Sequence, residues 1–163
     1  VGGNPNGDLT IVSFFDYNCP FCKRTVEPLN AVLESDGNVR HVYKDWPILA
    51  QSSVYGAKLA LAARYQNRYE DAYLALMGVE GSRVPEERMR QALEGAGFDM
   101  AGLETEADRR DPEITALLQR NNAQAEGLGL RGTPVFLIGR FLVASALDED
   151  GFRQVVADAR EAS

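Results

Sequence analysis

Cys19 and Cys22 are the only cysteines in the chain, and they frame the short motif Cys19-Pro20-Phe21-Cys22. Residues at i and i+3 of a helix share one face. Two sulfurs at that spacing can bond or part with little movement of the backbone. A first cysteine beside a helix start meets unpaired backbone N–H groups and the positive end of the helix dipole. That setting favours thiolate: a free thiol titrates near about 8.5, and such sites lower it to roughly 3.5–7.5. A thiolate near neutral pH attacks disulfides, and it leaves them easily. Cys19 is thus the candidate nucleophile. Cys22, further into the helix and more buried, is the candidate resolving thiol. Lys23 and Arg24 add positive charge nearby, and Asp16 opposes it. A zinc site is one competitor, but structural zinc takes four ligands. The chain has no further cysteine and one histidine, His41. The other competitor, two cysteines buried by chance, does not explain their place between a strand and a helix.

The elements that must position this pair are legible on both sides of it. Leu9-Thr10-Ile11-Val12-Ser13-Phe14-Phe15 is a short apolar run rich in β-branched and aromatic residues, which predicts a buried strand. Gly2 to Gly7 before it read as a loop. After the pair, Cys22, Val26, Leu29 and Leu33 recur at helical spacing. Pro28 lies inside that helix, where it removes a backbone donor and predicts a kink. Gly37-Asn38 ends it. Val39-Arg40-His41-Val42-Tyr43 predicts the next strand. The unit is β-α-β with the cysteines at the helix start.

From about Ser53 to Gly127 the pattern is helical. Val54 to Ala63 is rich in Ala and Leu, and Tyr69, Ala72, Tyr73 and Leu76 mark a second stripe. Pro85 stands at a first helical turn, followed by Met89, Ala92 and Leu93. Asp111-Pro112-Glu113 reads as a cap with a proline at the first helical position, opening a helix that carries Ile114, Leu117, Leu118, Asn121 and Ala125. Strands return as Val135–Ile138 and Phe141–Ala144. The Gly139-Arg140 link between them suits a type II′ hairpin. Asp148 caps a final helix with Phe152, Val155, Val156 and Ala159 on its apolar face. The order β-α-β, helical block, β-β-α divides the chain into a domain of residues 1–49 and 128–163 and an inserted helical subdomain of residues 50–127.

At 163 residues the chain can bury a core without crosslinks or metal. Its formal net charge of -7 argues against nucleic acid and anionic membrane surfaces as main partners. No apolar run is long enough to span a bilayer, and no signal peptide opens the chain. It begins at Val1, so a removed leader or anchor is compatible with the sequence.

These residues resemble the DsbA-like branch of the thioredoxin superfamily over nearly the whole chain. Phe14-Phe15-Asp16-Tyr17-Asn18-Cys19-Pro20-Phe21-Cys22-Lys23 is similar to the family's strand, loop and active-site segment. Tyr43-Lys44-Asp45-Trp46-Pro47-Ile48-Leu49 resembles the segment leaving its second strand. Gly132-Thr133-Pro134-Val135-Phe136-Leu137-Ile138-Gly139 resembles the loop that carries its cis-proline. The resemblance implies an α/β thioredoxin fold with an all-helical insertion between the second and third core strands. It implies thiol–disulfide exchange on protein substrates, and a redox partner that recharges the pair. Pro134 is then cis and lies against the cysteines, and Thr133 offers backbone groups to an extended substrate. A periplasmic or other extracytoplasmic location is implied as well. No metal and no cofactor is implied, and the lack of a dimerisation stalk suggests a monomer.

Three positions bear on the details. Many relatives carry a buried acid six residues before the first cysteine, able to shuttle the proton of the resolving thiol. Ser13 stands there. Asp16 or Lys44, through water, is the candidate substitute, against a simple loop-capping role for Asp16. Strongly oxidising relatives often place His between the cysteines, whereas Phe21 offers neither charge nor donor. Thr133 before the proline is more frequent in isomerase-like members. Oxidase and isomerase directions both stay open.

His41 is expected to be a satisfied or half-exposed strand histidine rather than a catalytic one. Tyr43 and Trp46 are candidates for either the rim of the site or the core. The alternative function class is a substrate-binding or chaperone module without redox turnover.

Overall fold

The computed structural model describes residues 1–163 and divides them into two compact units. The first comprises residues 1–15, 21–44 and 131–163, and the second residues 16–20 and 45–130.

The first unit is built on one five-stranded sheet. Its strands are β1 (Gly2–Gly3), β2 (Leu9–Phe15), β3 (Val39–Asp45), β4 (Val135–Ile138) and β5 (Phe141–Val143), in the order β1-β3-β2-β4-β5. β4 runs antiparallel to β2, with Ile11 opposite Ile138 and Phe14 opposite Val135. Alternation along the strands sends Leu9 and Ile11 of β2, Val39 of β3, and Phe136 and Ile138 of β4 into one core. Two helices supply the rest of it: Leu29 and Val32 from α1 (Pro20–Asp36), and Phe152, Val156 and Ala159 from α7 (Glu149–Glu161). The Phe136 and Phe152 rings meet edge to face at 5.0 Å. Full burial of one such side chain stabilises the fold by about 1.5–3 kcal/mol.

Local signals set the ends of these elements. α1 stops at Gly37, whose φ of 73° is the left-handed conformation that ends helices. The β4–β5 link turns at Gly139, whose φ of 56° suits the first central position of a type II′ turn. Asp148 caps α7 by accepting from the Gly151 amide at 2.8 Å. Arg160 near the end of α7 ties the unit together. Its guanidinium donates to both Asp36 oxygens at 2.6 and 2.7 Å and to Asp8 at 2.9 Å.

The second unit is helical, with α2 (Gln51–Ala63), a short 3₁₀ turn at Arg64–Gln66, α3 (Tyr69–Met77), α4 (Glu86–Gly95), α5 (Met100–Arg109) and α6 (Asp111–Gly127). α2 is the centre, since Ala57, Leu59, Ala60, Leu61, Ala62 and Ala63 are all buried. No helix of the chain is long and apolar enough to cross a membrane.

Four details differ from the sequence reading. Asp111, expected as a cap, is itself the first residue of α6, and Arg110 stands at the capping position. Gly2–Gly3, expected as loop, pairs with β3 through Gly2 opposite His41 and Gly3 opposite Arg40. Two glycines show no side-chain pattern, so this edge pairing rests on backbone hydrogen bonds alone. α5 has only Met100 and Leu103 buried, which is too few apolar positions to mark a stripe. β3 extends two residues past Tyr43, to Asp45.

Candidate active site

Cys19 stands immediately before α1, and Cys22 lies in the first turn of that helix. Pro20 is the first helical residue, where its missing N–H costs nothing. A side chain at the capping position faces the amides of the second and third helical residues, here Phe21 and Cys22. The two cysteines are not joined in a disulfide and both are buried, Cys19 at 3% and Cys22 at 1% exposure. The expected contrast in burial between them is therefore slight. Phe21 between them is 53% exposed, with the Arg24 guanidinium 4.8 Å above its ring. Thr25 Oγ1 donates to the Cys22 carbonyl at 2.7 Å.

The loop delivering Cys19 is held by two buried polar side chains. Asp16 accepts from the Ile48 and Leu49 amides on one oxygen, at 2.7 and 2.9 Å. Its other oxygen accepts from the Asn18 amide at 2.8 Å and from Ser53 Oγ at 2.6 Å. Asn18 Nδ2 donates to Ser52 Oγ at 2.9 Å and to Ser53 Oγ at 2.8 Å, while its Oδ1 accepts from the Val84 amide at 2.7 Å. The Asp16 carbonyl accepts from the Cys19 amide at 3.1 Å. A carboxylate committed to four donors is a structural clamp, which is the loop-capping role, rather than a group poised to carry protons.

Tyr17, between the two clamps, enters a second buried cluster. Its ring is 1% exposed and packs 6.2 Å from Tyr73. The Tyr69 hydroxyl donates to Asp45 Oδ1 at 2.5 Å, and Asp45 Oδ2 is buried without a hydrogen-bond partner. Asp45 is 2% exposed. Burial pushes its carboxyl up to about 7, against the opposing hydrogen bond from Tyr69. Of these two clusters, the sequence points only to Asp16. The only signal is a run of polar residues (Asp16, Asn18, Asp45, Ser52, Ser53) inside otherwise apolar segments.

Ser13 Oγ lies 2.8 Å from His41 Nε2. His41 is 1% exposed and packs 4.2 Å from Tyr43. Burial pushes its imidazole down to about 3, so it is neutral at physiological pH. It is a strand histidine, as expected, but fully buried and only half satisfied, since its Nδ1 has no hydrogen-bond partner. Trp46 is core, 5% exposed, and its Nε1 donates to Asn122 Oδ1 at 2.9 Å.

The Thr133–Pro134 peptide bond is cis, as the resemblance implies. Pro134 is buried and Thr133 half-buried. Continuing the β2–β4 register one step past Phe14 and Val135 brings Pro134 to the Phe15 end of β2, from which the cysteine loop departs.

The family model described as thioredoxin matches residues 1–158. The chain belongs to the thioredoxin family. Its likeness to solved members of this family is close. A thioredoxin-like oxidoreductase from Silicibacter pomeroyi DSS-3 is 39% identical, with a TM-score of 0.91 over 99% of this chain and 91% of that one. The thiol-disulfide exchange protein alpha-DsbA2 from Wolbachia pipientis is 26% identical, with a TM-score of 0.88 over 96% of this chain and 84% of that one. A periplasmic thioredoxin-like protein from Salmonella enterica serovar Typhimurium is 26% identical, with a TM-score of 0.82 over 96% and 87%. The chain is a DsbA-like thioredoxin-fold protein, as its motifs suggested. Among curated proteins it is 23% identical over 141 residues to the Na(+)/H(+) antiporter NhaA 1 of Mycolicibacterium gilvum (strain PYR-GCK). It spans 23% of that relative's length.

Proposed function

We propose that this thioredoxin-family chain is a thiol–disulfide oxidoreductase acting on protein substrates through Cys19 and Cys22. The observation that carries the reading is the placement of Cys19 at the N-terminus of α1 with Cys22 one turn in. The likeness to a thiol-disulfide exchange protein supports it.

In the reducing direction, Cys19 thiolate attacks one sulfur of a substrate disulfide. The Cys19–substrate S–S bond forms, the substrate S–S bond breaks, and one substrate thiolate leaves. Cys22 then loses its proton and attacks Cys19 Sγ. The Cys19–Cys22 bond forms and the second substrate thiolate leaves. The substrate gains two electrons and the pair loses two. Run backwards, the same steps oxidise a substrate dithiol. Isomerisation uses the first step and its reversal at a new sulfur.

Pro20 and Phe21 complete the motif. Phe21, exposed between the cysteines, supplies an apolar contact for the substrate chain. Thr133 and Pro134 are the substrate-binding residues, pairing with an extended segment beside the cysteines. A separate redox partner restores the pair after each cycle. An extracytoplasmic space, oxidising enough for disulfides to persist, suits this chemistry, and the periplasmic relative supports that setting.

The direct experiment is insulin reduction by dithiothreitol with the wild-type chain, beside a Cys22→Ser variant. Catalysed reduction and a mixed disulfide on Cys19 of the variant are expected. Neither turnover nor a Cys19 adduct would leave only a binding module.

A further inference from the structure

Asp16 fixes two stretches of chain at once. Its carbonyl accepts from the Cys19 amide at 3.1 Å. Its carboxylate accepts from the consecutive Ile48 and Leu49 amides at 2.7 and 2.9 Å. The aspartate is buried, yet the side chains whose backbone it holds are not: Ile48 is 41% exposed and Leu49 52%. The other carboxylate oxygen accepts from Ser53, and the next residue, Val54, is exposed as well. Aliphatic side chains thus meet water around one buried carboxylate, and the same residue holds the amide of the attacking cysteine.

Single exposed aliphatic residues are ordinary on a protein surface. These are set apart by how firmly their backbone is held and by what else is held with them. An apolar surface that is already fixed loses little further freedom when a ligand meets it. One aspartate and two hydrogen bonds separate the Ile48 and Leu49 amides from that of Cys19. No more than about three extended residues, at about 3.3 Å each, span such a gap. The exchange step fixes the other end, since a substrate sulfur has to reach Cys19 Sγ to form the mixed disulfide. A chain tethered there brings its neighbouring side chains within reach of Ile48 and Leu49. We infer that Ile48 and Leu49 are specificity-determining residues for the exchange, holding an apolar side chain that lies within about three positions of the substrate cysteine. Folded proteins enclose such side chains, so the substrate class is polypeptide that is extended or unfolded around its cysteine.

This rests on the reading of Cys19 as the attacking sulfur. With a peptide joined to glutathione as substrate, Cys19 bonds to the peptide sulfur and glutathione leaves as thiolate. Cys22 then bonds to Cys19 and the peptide thiolate leaves. The disulfide gains two electrons and the cysteine pair loses two. Ile48 and Leu49 act on the first step alone, by holding the peptide while its sulfur is attacked. They touch no reacting atom, so a disulfide without a side chain in reach reacts equally well with or without them. Partial cover of one leucine side chain corresponds to about a tenfold preference.

The probes are two peptides alike except that Leu or Ser flanks the cysteine on both sides, each as its mixed disulfide with glutathione. Hydroxyethyl disulfide is the small polar control. Reduced protein is mixed with each, quenched in acid, and the second-order rate constant is read by chromatography. Wild type is expected to reduce the Leu peptide about tenfold faster than the Ser peptide. The Ile48→Ser, Leu49→Ser double variant should bring that ratio to about one while matching wild type on hydroxyethyl disulfide. The Ile48→Val, Leu49→Met double variant keeps the apolar surface and should keep the ratio. Equal rates for the two peptides in wild type, or a preference that survives the serine substitutions, overturns the inference. So does a loss in the serine variant that extends to hydroxyethyl disulfide, because the residues would then act on the Cys19 loop and not on the substrate. A wild-type chain that reduces none of the three disulfides would instead sink the exchange reading, and the inference with it.

Discussion

Replacing Asp45 by Asn should change the pH dependence of stability in a way that no surface carboxylate could mimic. Two buried groups act in opposite senses. His41 falls from an ordinary 6.5 to about 3 in the folded chain, because burial disfavours the imidazolium. Its contribution is complete above 6.5 and is lost as pH falls towards 3. Asp45 rises from 3.8 to about 7, because burial disfavours the carboxylate. Its contribution is complete below 3.8 and is lost as pH rises towards 7. Moving a titration by a single pH unit on folding corresponds to about 1.4 kcal/mol. Each group is therefore worth about 4–5 kcal/mol across its full window. Between roughly pH 4 and 6.5 the two slopes are equal and opposite, so wild-type stability is nearly flat there. Asp45→Asn removes the falling slope. Its stability should rise by about 1.4 kcal/mol per pH unit through that window, and above pH 7 it should exceed wild type. His41→Gln should show the converse, a fall of similar slope. Urea unfolding followed by circular dichroism at half-unit steps from pH 4 to 8 measures all three curves. Parallel curves for wild type and Asp45→Asn would refute the assignment of an enclosed, proton-holding carboxyl at this position.

Other substitutions test the scaffold and the motif. Asp16→Asn puts an amide donor against a group of N–H and O–H donors, and should cost about 3 kcal/mol in denaturant unfolding. Arg160→Met removes the contacts to Asp36 and Asp8. The side chain is 31% exposed, so the loss should be about 1 kcal/mol and should shrink in high salt. Phe21→His introduces a donor beside Cys19. By stabilising the thiolate it should raise the reduction potential by about 30 mV, measured against glutathione.

The parts of the fold with strong local patterns were legible in the sequence. The apolar run of β2, the helical spacing in α1, the Gly139 turn and the Asp148 cap are short-range signals, and each is where it was expected. The edge strand β1 was not, because Gly2 and Gly3 carry no pattern and pair only through the backbone. α5 escaped because it buries so little. The site divides in the same way. Cys19 and Cys22 are sequence neighbours on one helix turn, so their relation is local. The clamps on the Cys19 loop join Asp16 and Asn18 to Ser52, Ser53 and Val84. The Asp45 cluster joins residues from the cysteine loop, the end of β3 and α3. These partners lie far apart in the chain, and periodicity holds no information about such contacts. Asp16 shows the difference most plainly. Its residue type fits a proton carrier and a loop clamp equally well, and only its four donors decide between them.

The central claim is that Cys19 attacks and Cys22 resolves. It is tested most directly by trapping. The Cys22→Ser variant, mixed with a disulfide-bonded protein substrate and quenched in acid, should accumulate one covalent adduct, mapped by mass spectrometry to Cys19. The Cys19→Ser variant should accumulate none. An adduct formed equally well in the Cys19→Ser variant, or absent from both, would contradict the account.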